Sequence, residues 1–314
     1  VLASVPSFKG AFTSSPYANQ KVQSIVSVAN ELGYDTSFFH GAPNGSMGFL
    51  GFSNILGYDH YYGKDEFNDN SQYDGVWGIW DEPFFQYIHQ TITNKETPFL
   101  ATVFSVSSHE PFQVPNKYEG VFPKGNNPMH QVIGYSDYAL KRFFDEAKKE
   151  PWFENTIFVL TADHCNKAFY STYTRPVNRY AVPIMFYDPQ GFFYGESQEL
   201  AQQMDIFPTL VDMLGYNKPI QTWGRSLYSN DNSTPFSVHY FGAVYHFSIG
   251  DFTFVFDGRK TLGIYAIQDV GLTNNLIHQR TLQMNENERF MKAFFQDYMS
   301  RVINKKLTAT PNID

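Results

Sequence analysis

A small set of polar side chains in this sequence has the types and positions that chemistry can use. Asp163 and His164 are adjacent and follow the apolar run Ile157–Thr161. A carboxylate oxygen beside an imidazole nitrogen is a donor pair for Mn2+ or Zn2+, and less apt for Mg2+. The plainer alternative is a capping aspartate next to a partly buried histidine. His109 follows a second apolar run and precedes Glu110-Pro111, so it is expected in a turn. There an imidazole can hold a substrate oxygen or shuttle a proton, or simply bond to backbone. His40 closes a third run, just before Gly41. A structural role and a place lining a cleft are both open for it. Cys165 has few cationic neighbours in sequence and reads as an inert small residue.

The elements that must position these residues follow an α/β order. Residues 17–34 have helical spacing at Val22, Ile25, Val26, Val28 and Leu32, with Gly33 as a C-cap. Residues 35–41 read as a strand, and the glycine-rich 45–58 as loop with a short helix. Asp81 reads as the N-cap of a helix over 81–92, with Pro83 in its first turn. A strand over 98–109, a long helix over 130–150, and strands over 157–161 and 179–189 follow. Residues 199–216 are helical at both ends, and Pro208 implies a kink or two short helices. Alternation of strand and helix predicts an α/β fold with a mostly parallel central sheet flanked by helices. Ligands of such sheets collect beyond the carboxyl ends of the strands, which is where His40, His109 and Asp163–His164 fall. From 236 to 267 the pattern becomes short strands with tight turns, an antiparallel meander. An amphipathic helix over 285–306 closes the chain. The expected division is an α/β core over 1–235 and a small β subdomain with the closing helix over 236–314.

Composition narrows the function. With 42% hydrophobic residues and only 17% charged, the chain has a core to bury and is not a disordered type. A net charge of −8 and no run of Lys or Arg exclude a nucleic-acid binder. One cysteine allows no internal disulfide. No segment approaches the roughly 18 consecutive apolar residues of a membrane span, and no signal peptide is visible. The start at Val1, without Met, reads as the interior of a longer chain.

Six stretches in order, FFHGAPNGSMGFLGFSNILGYDHYYG (38–63), FLATVFSVSSHEPF (99–112), IGYSDYALKRFFDEA (133–147), NTIFVLTADHCN (155–166), RYAVPIMFYDP (179–189) and MDIFPTLVDMLGY (204–216), resemble the lipoteichoic acid synthase branch of the alkaline phosphatase/sulfatase superfamily. The resemblance runs over residues 17–216. It implies a metal-dependent phosphoglycerol or phospho-head-group transferase acting on cell-envelope lipids or glycans through a phospho-enzyme. It further implies an extracytoplasmic domain anchored by membrane helices outside this chain. The implied metal is Mn2+, with Zn2+, Mg2+ and Ca2+ as alternatives. Carried over, Asp163 and His164 are metal ligands and His109 is the catalytic, substrate-contacting histidine. His40 and Asn166 are substrate-side residues. The nucleophile and a further acidic ligand are expected upstream of Val1, which makes this chain alone inactive. The branch has an Arg where Phe49 stands and a Trp where Met47 stands, so glycerol phosphate itself is in question as the head group. A sulfate ester hydrolase and a non-catalytic envelope-glycan binder are the rival expectations.

Overall fold

Strand β1 (Asp35–His40) is buried from Thr36 to His40, as a strand covered on both faces must be. In the computed structural model, which describes residues 1–165, 168–229 and 233–309, β1 is the middle of a three-stranded sheet. Its neighbours are β2 (His60–Tyr62) and β3 (Phe99–Phe104), in the order β2-β1-β3, and both pairings are parallel. The β1/β3 register sets Asp35 against Phe99 and His40 against Phe104. The two strands therefore end together, and the chain leaves both at the same edge.

The chain divides into two units. A sheet unit comprises Val26–Ile157 and Asp188–Phe192, and a meander unit comprises Val1–Ile25, Phe158–Tyr187 and Phe193–Asp314. In the sheet unit, helices α1 (Ile25–Glu31), α2 (Phe49–Leu56), α3 (Lys64–Phe67), α4 (Asp81–Thr93) and α5 (Met129–Ala147) alternate with the strands. The buried positions of α5 are Val132, Tyr135, Ala139, Phe143 and Ala147. Steps of three and four put them on one stripe. Helix α4 offers Phe84, Phe85, Ile88 and Ile92 in the same way, and Phe85 meets Phe143 with ring centroids 6.2 Å apart. Each such ring stabilises the fold by roughly 1.5–3 kcal/mol when fully buried.

In the meander unit, β4 (Phe158–Thr161) pairs with β5 (Ile184–Tyr187), and the pairing is antiparallel. Parallel pairing needs a crossover, usually a helix. The segment joining these strands contains only the short turn Ser171–Thr174 among its described residues. The parallel sheet is thus confined to β2-β1-β3. Helix α6 (Ile206–Met213) follows a single 3-10 turn, so Pro208 sits in a first turn, where its missing N–H costs nothing. Strands β6 (Phe236–Phe241), β7 (Val244–Ile249), β8 (Phe252–Phe256) and β9 (Thr261–Ala266) form the expected antiparallel meander in sequential order. Helix α7 (Leu282–Ile303) starts at Thr281, whose side chain accepts the Met284 N–H at 3.2 Å. It lays Met284, Met291, Phe294 and Phe295 on Phe247, Phe254 and Ile264 of the meander.

Three local expectations differ from what forms. The strand expected over 98–109 ends at Phe104, where the β1 pairing stops. The helix expected over 17–34 is only Ile25–Glu31. Val22 pairs instead with Leu307 in an isolated parallel bridge, and the Gln20 amide donates to the carbonyls of Tyr17 and Val302. Asp81 is not the cap of α4. Trp80 holds the cap position, and the Asp81 carboxylate is turned inward.

Candidate functional site

In the sheet unit, β1 ends at His40, which is 2% exposed. Its Nδ1 lies 3.2 Å from the Phe104 carbonyl. A carbonyl can only accept, so Nδ1 carries the proton. Nε2 is then an acceptor, and among the described residues it is buried without a hydrogen-bond partner. Burial holds the His40 pKa below the usual histidine value, opposed by the bond to Phe104. Phe49, the first residue of α2, stands edge-on to the His40 ring at 4.9 Å and also packs on Phe38 and Phe104. The expected substrate contact through His40 is therefore roofed by Phe49. Met47 is 56% exposed, with φ 51°.

Beyond His40 the backbone meets the turn 74–80 at close range. The Ile79 N–H donates to Gly41 O at 2.9 Å. A Cβ on Gly78 would fall 2.6 Å from that same oxygen, so only glycine fits there. The Asp74 carboxylate gathers the N–H groups of Val76, Trp77 and Gly78 at 2.8, 2.8 and 3.0 Å. Trp77 is thereby fixed, and His109 packs on its indole with centroids 4.1 Å apart. The His109 ring is exposed. Its Nδ1 lies 3.2 Å from Glu110 O, which also accepts from the Trp77 indole N–H. Nδ1 again carries the proton, and Nε2 is left for a ligand. The turn 74–80 thus borders His40, at the end of β1, through Gly41, and His109, five residues past the end of β3, through Trp77. Sequence reasoning gave no role to Trp77 or Gly78. The signal available was the cluster Gly75-Val76-Trp77-Gly78 directly before a helix start.

In the meander unit, Asp163 and His164 follow β4 with their side chains 50% and 59% exposed. Neither side chain is turned into an apolar interior. The Asp163 carboxylate accepts the His164 N–H at 2.8 Å through Oδ1. The Gln203 amide donates to the carbonyls of Ala162 and Asp163, which anchors the turn. The His164 Nδ1 lies 2.8 Å from Cys165 O, so it too carries the proton. Nε2 then faces Asp163 Oδ2 at 3.2 Å. In the neutral imidazole these are two lone pairs directed at each other, an arrangement relieved by a cation between them or by protonation. Two donors bound at about 2.0–2.2 Å with bond angles of 90–109° stand roughly 2.8–3.6 Å apart. The observed separation fits that span. The far ring nitrogen tied to a backbone carbonyl is the usual outer support of a metal-bound histidine. The pair therefore fits a divalent cation as two of its ligands. Among the described residues no group of three or more His, Cys, Asp or Glu forms a complete cluster. Asn166 lies outside the described residues. Cys165 donates to Ala181 O at 2.9 Å, and burial pushes its thiol pKa up, so it sits in the turn as an unreactive thiol.

The sulfatase family pattern matches residues 3–216. Lipoteichoic acid synthase 1 of Bacillus subtilis is 21% identical over 306 residues, covering 88% of this chain and 48% of that protein. The chain thus spans about half the length of that curated relative, and less of others such as the Staphylococcus aureus lipoteichoic acid synthase, of which 30% is covered. Among solved structures, an alkaline phosphatase superfamily protein from Vibrio parahaemolyticus superposes with a TM-score of 0.83 at 21% identity, over 99% of this chain and 76% of that one. A lipoteichoic acid synthase from Listeria monocytogenes gives 0.73 at 18% identity, over 97% and 78%. The fold is the α/β fold of the alkaline phosphatase superfamily, and the resemblance to the lipoteichoic acid synthase branch is upheld. With 3–216 matched, the chain belongs to the sulfatase family.

Proposed function

We propose that the chain carries the catalytic domain of an extracytoplasmic, metal-dependent transferase that moves a phosphoglycerol or related phospho-head-group among envelope lipids or glycans. The observation that carries this reading is the exposed Asp163 Oδ2–His164 Nε2 pair at 3.2 Å, with the imidazole's other nitrogen on a carbonyl. A divalent cation held there, Mn2+ before Zn2+, Mg2+ or Ca2+, would lower the pKa of a bound hydroxyl and neutralise charge on the ester. Asp163 and His164 would hold it, and a substrate-binding role is assigned to Asn166, which lies outside the described residues. His109 is assigned the catalytic, substrate-contacting role, its Nε2 left open by the bond of Nδ1 to Glu110 O. As an attacking hydroxyl bonds to phosphorus and the ester bond to the leaving oxygen breaks, the imidazolium form of His109 would give that oxygen a proton, so that no free alkoxide is expelled. The indole of Trp77 fixes the plane from which that proton is delivered.

His40 is assigned to the substrate side and, buried against Phe49, reaches substrate only when Phe49 turns aside. Phe49 has no charge with which to hold a phosphate. Its place among Phe38, His40 and Phe104 supports a head group other than glycerol phosphate. Among the described residues no helix is long and apolar enough to cross a membrane. Anchoring of the whole protein at the membrane belongs to this reading through the similarity to lipoteichoic acid synthases.

A second reading, sulfate ester hydrolysis, is favoured by the family pattern itself. The deciding experiment uses the longest natural chain that contains these residues, with Mn2+ and then with EDTA, on bis-p-nitrophenyl phosphate and on p-nitrophenyl sulfate. Turnover of the diester that EDTA abolishes supports the transferase. Turnover of the sulfate alone supports the second reading. Turnover of neither, with glycan binding retained, leaves a binding domain.

A further inference from the structure

Asp81 is 2% exposed, and among the described residues it makes no ion pair. Its Oδ1 accepts the N–H groups of Val106 and Ser107 at 3.0 and 3.1 Å. Its Oδ2 accepts the Ser136 hydroxyl of α5 at 2.9 Å. Its own N–H donates to Ser107 Oγ at 2.9 Å. A helix needs none of this to begin, because a surface Ser or Asn before its first residue would serve. An isolated buried carboxylate is costly unless donors surround it. What these donors share is their position. Val106 and Ser107 follow the last residue of β3, where the ladder has ended and their N–H groups have no sheet partner. Two and three residues later comes His109. On its other side, His109 rests on Trp77, four residues before Asp81. The segment 105–110 is therefore held at one end by Asp81 and at the other by Trp77, both supplied by 74–81.

We propose that Asp81 is the positioning residue for His109: its carboxylate replaces the missing sheet ladder and hangs the histidine-bearing turn from the start of α4. This rests on the reading of His109 as the residue that serves the ester. The hydrogen bonds also specify which substitutions keep the device. Asparagine retains an acceptor for both N–H groups, and its amide can donate to the Ser136 oxygen. Alanine retains nothing and leaves two N–H groups buried without partners.

The test uses the longest natural chain with labelled histidine. The His109 imidazole signal is identified by its loss in His109→Gln. Packing on the Trp77 indole displaces that signal by ring current, which makes it a ruler for the turn. In Asp81→Asn the signal stays in place. In Asp81→Ala it moves toward the free-histidine position, while the signals of His239 and His246 in the meander unit stay fixed. With the diester as substrate, Asp81→Ala loses about 10²-fold in kcat, as a displacement near 1 Å costs. Its KM changes little, and Asp81→Asn recovers most of the loss. An unmoved His109 signal in folded Asp81→Ala overturns the proposal. So does a displaced signal in Asp81→Asn, which decides the matter should Asp81→Ala not fold. A parent protein that turns over no ester overturns the functional reading instead, and leaves the spectroscopic comparison to judge Asp81.

Discussion

Glycine at position 78 carries a quantitative prediction. A Cβ placed there meets Gly41 O at 2.6 Å, Gly41 C at 2.8 Å and Ala42 N at 2.9 Å. All three are backbone atoms, so no side chain can swing away. Relaxed contacts between non-bonded atoms lie near 3.5–4.0 Å, so the added methyl is too close by about 1 Å. Relief requires the 74–80 turn to withdraw from the end of β1, straining the Ile79 N–H to Gly41 O bond. Overpacking of this kind costs about 1–3 kcal/mol, and backbone-only neighbours place Gly78→Ala at the upper end. For a unit of this size 1 kcal/mol moves the melting midpoint by roughly 4 °C, so the expected drop is about 10 °C. Gly51 is the internal control. It lies inside α2, is exposed, and would meet nothing within 4 Å. Gly51→Ala gains about 0.5–1 kcal/mol from helix propensity. Thermal melts followed by far-UV circular dichroism compare the two. The reasoning is refuted if Gly78→Ala melts at or above the parent temperature, or if the two substitutions shift it in the same direction.

Further outcomes follow from other parts of the fold. Burial, then the neighbouring His246, holds the His239 pKa down from 6.5 to about 4, against its bond to Pro176 O. Its neutral form is the one the fold favours. The unfolded chain binds that proton as pH falls below the ordinary histidine value, so stability declines between about pH 6.5 and 4, by at most roughly 3 kcal/mol from this group. Urea midpoints at pH 7 and 4.5 should differ less in His239→Gln than in the parent, and equal differences would contradict the assignment. Phe254 is fully buried between Phe247 and Ile264 in the meander. Phe254→Ala should cost about 3–5 kcal/mol in chemical denaturation, and a loss below 1 kcal/mol would mean this core is not as packed as described.

What the sequence discloses depends on how local the cause is. Helix α5 and the meander were legible because the stripe Val132–Tyr135–Ala139–Phe143 and the turn residues write their periods directly into the chain. Val22 and Gln20 were not, because their helical spacing is overridden by partners almost 300 residues away at Leu307 and Val302. The antiparallel turn-back of β5 was hidden for a related reason. Its amino-acid run suits either direction, and the missing crossover helix is the deciding fact. Asp81 shows the same limit at the site. An acid followed by Glu and Pro reads as a cap, and only tertiary structure reveals Val106, Ser107 and Ser136 converging on it. Asp163 and His164 were legible as polar residues following an apolar strand, and His109 as a turn residue, although the strand before it ends at Phe104 and not at 109. The indole beneath His109 was not, since Trp77 is 32 positions away in sequence.

Asp163 and His164 are proposed as donors to one divalent cation. Mn2+ titration followed by electron paramagnetic resonance, on the longest natural chain containing them, tests this without reference to any substrate. Asp163→Ala and His164→Ala should each weaken binding at least about tenfold, as loss of 1.4 kcal/mol or more does. Binding in both variants as tight as in the parent would show that the pair at 3.2 Å is an ordinary surface contact.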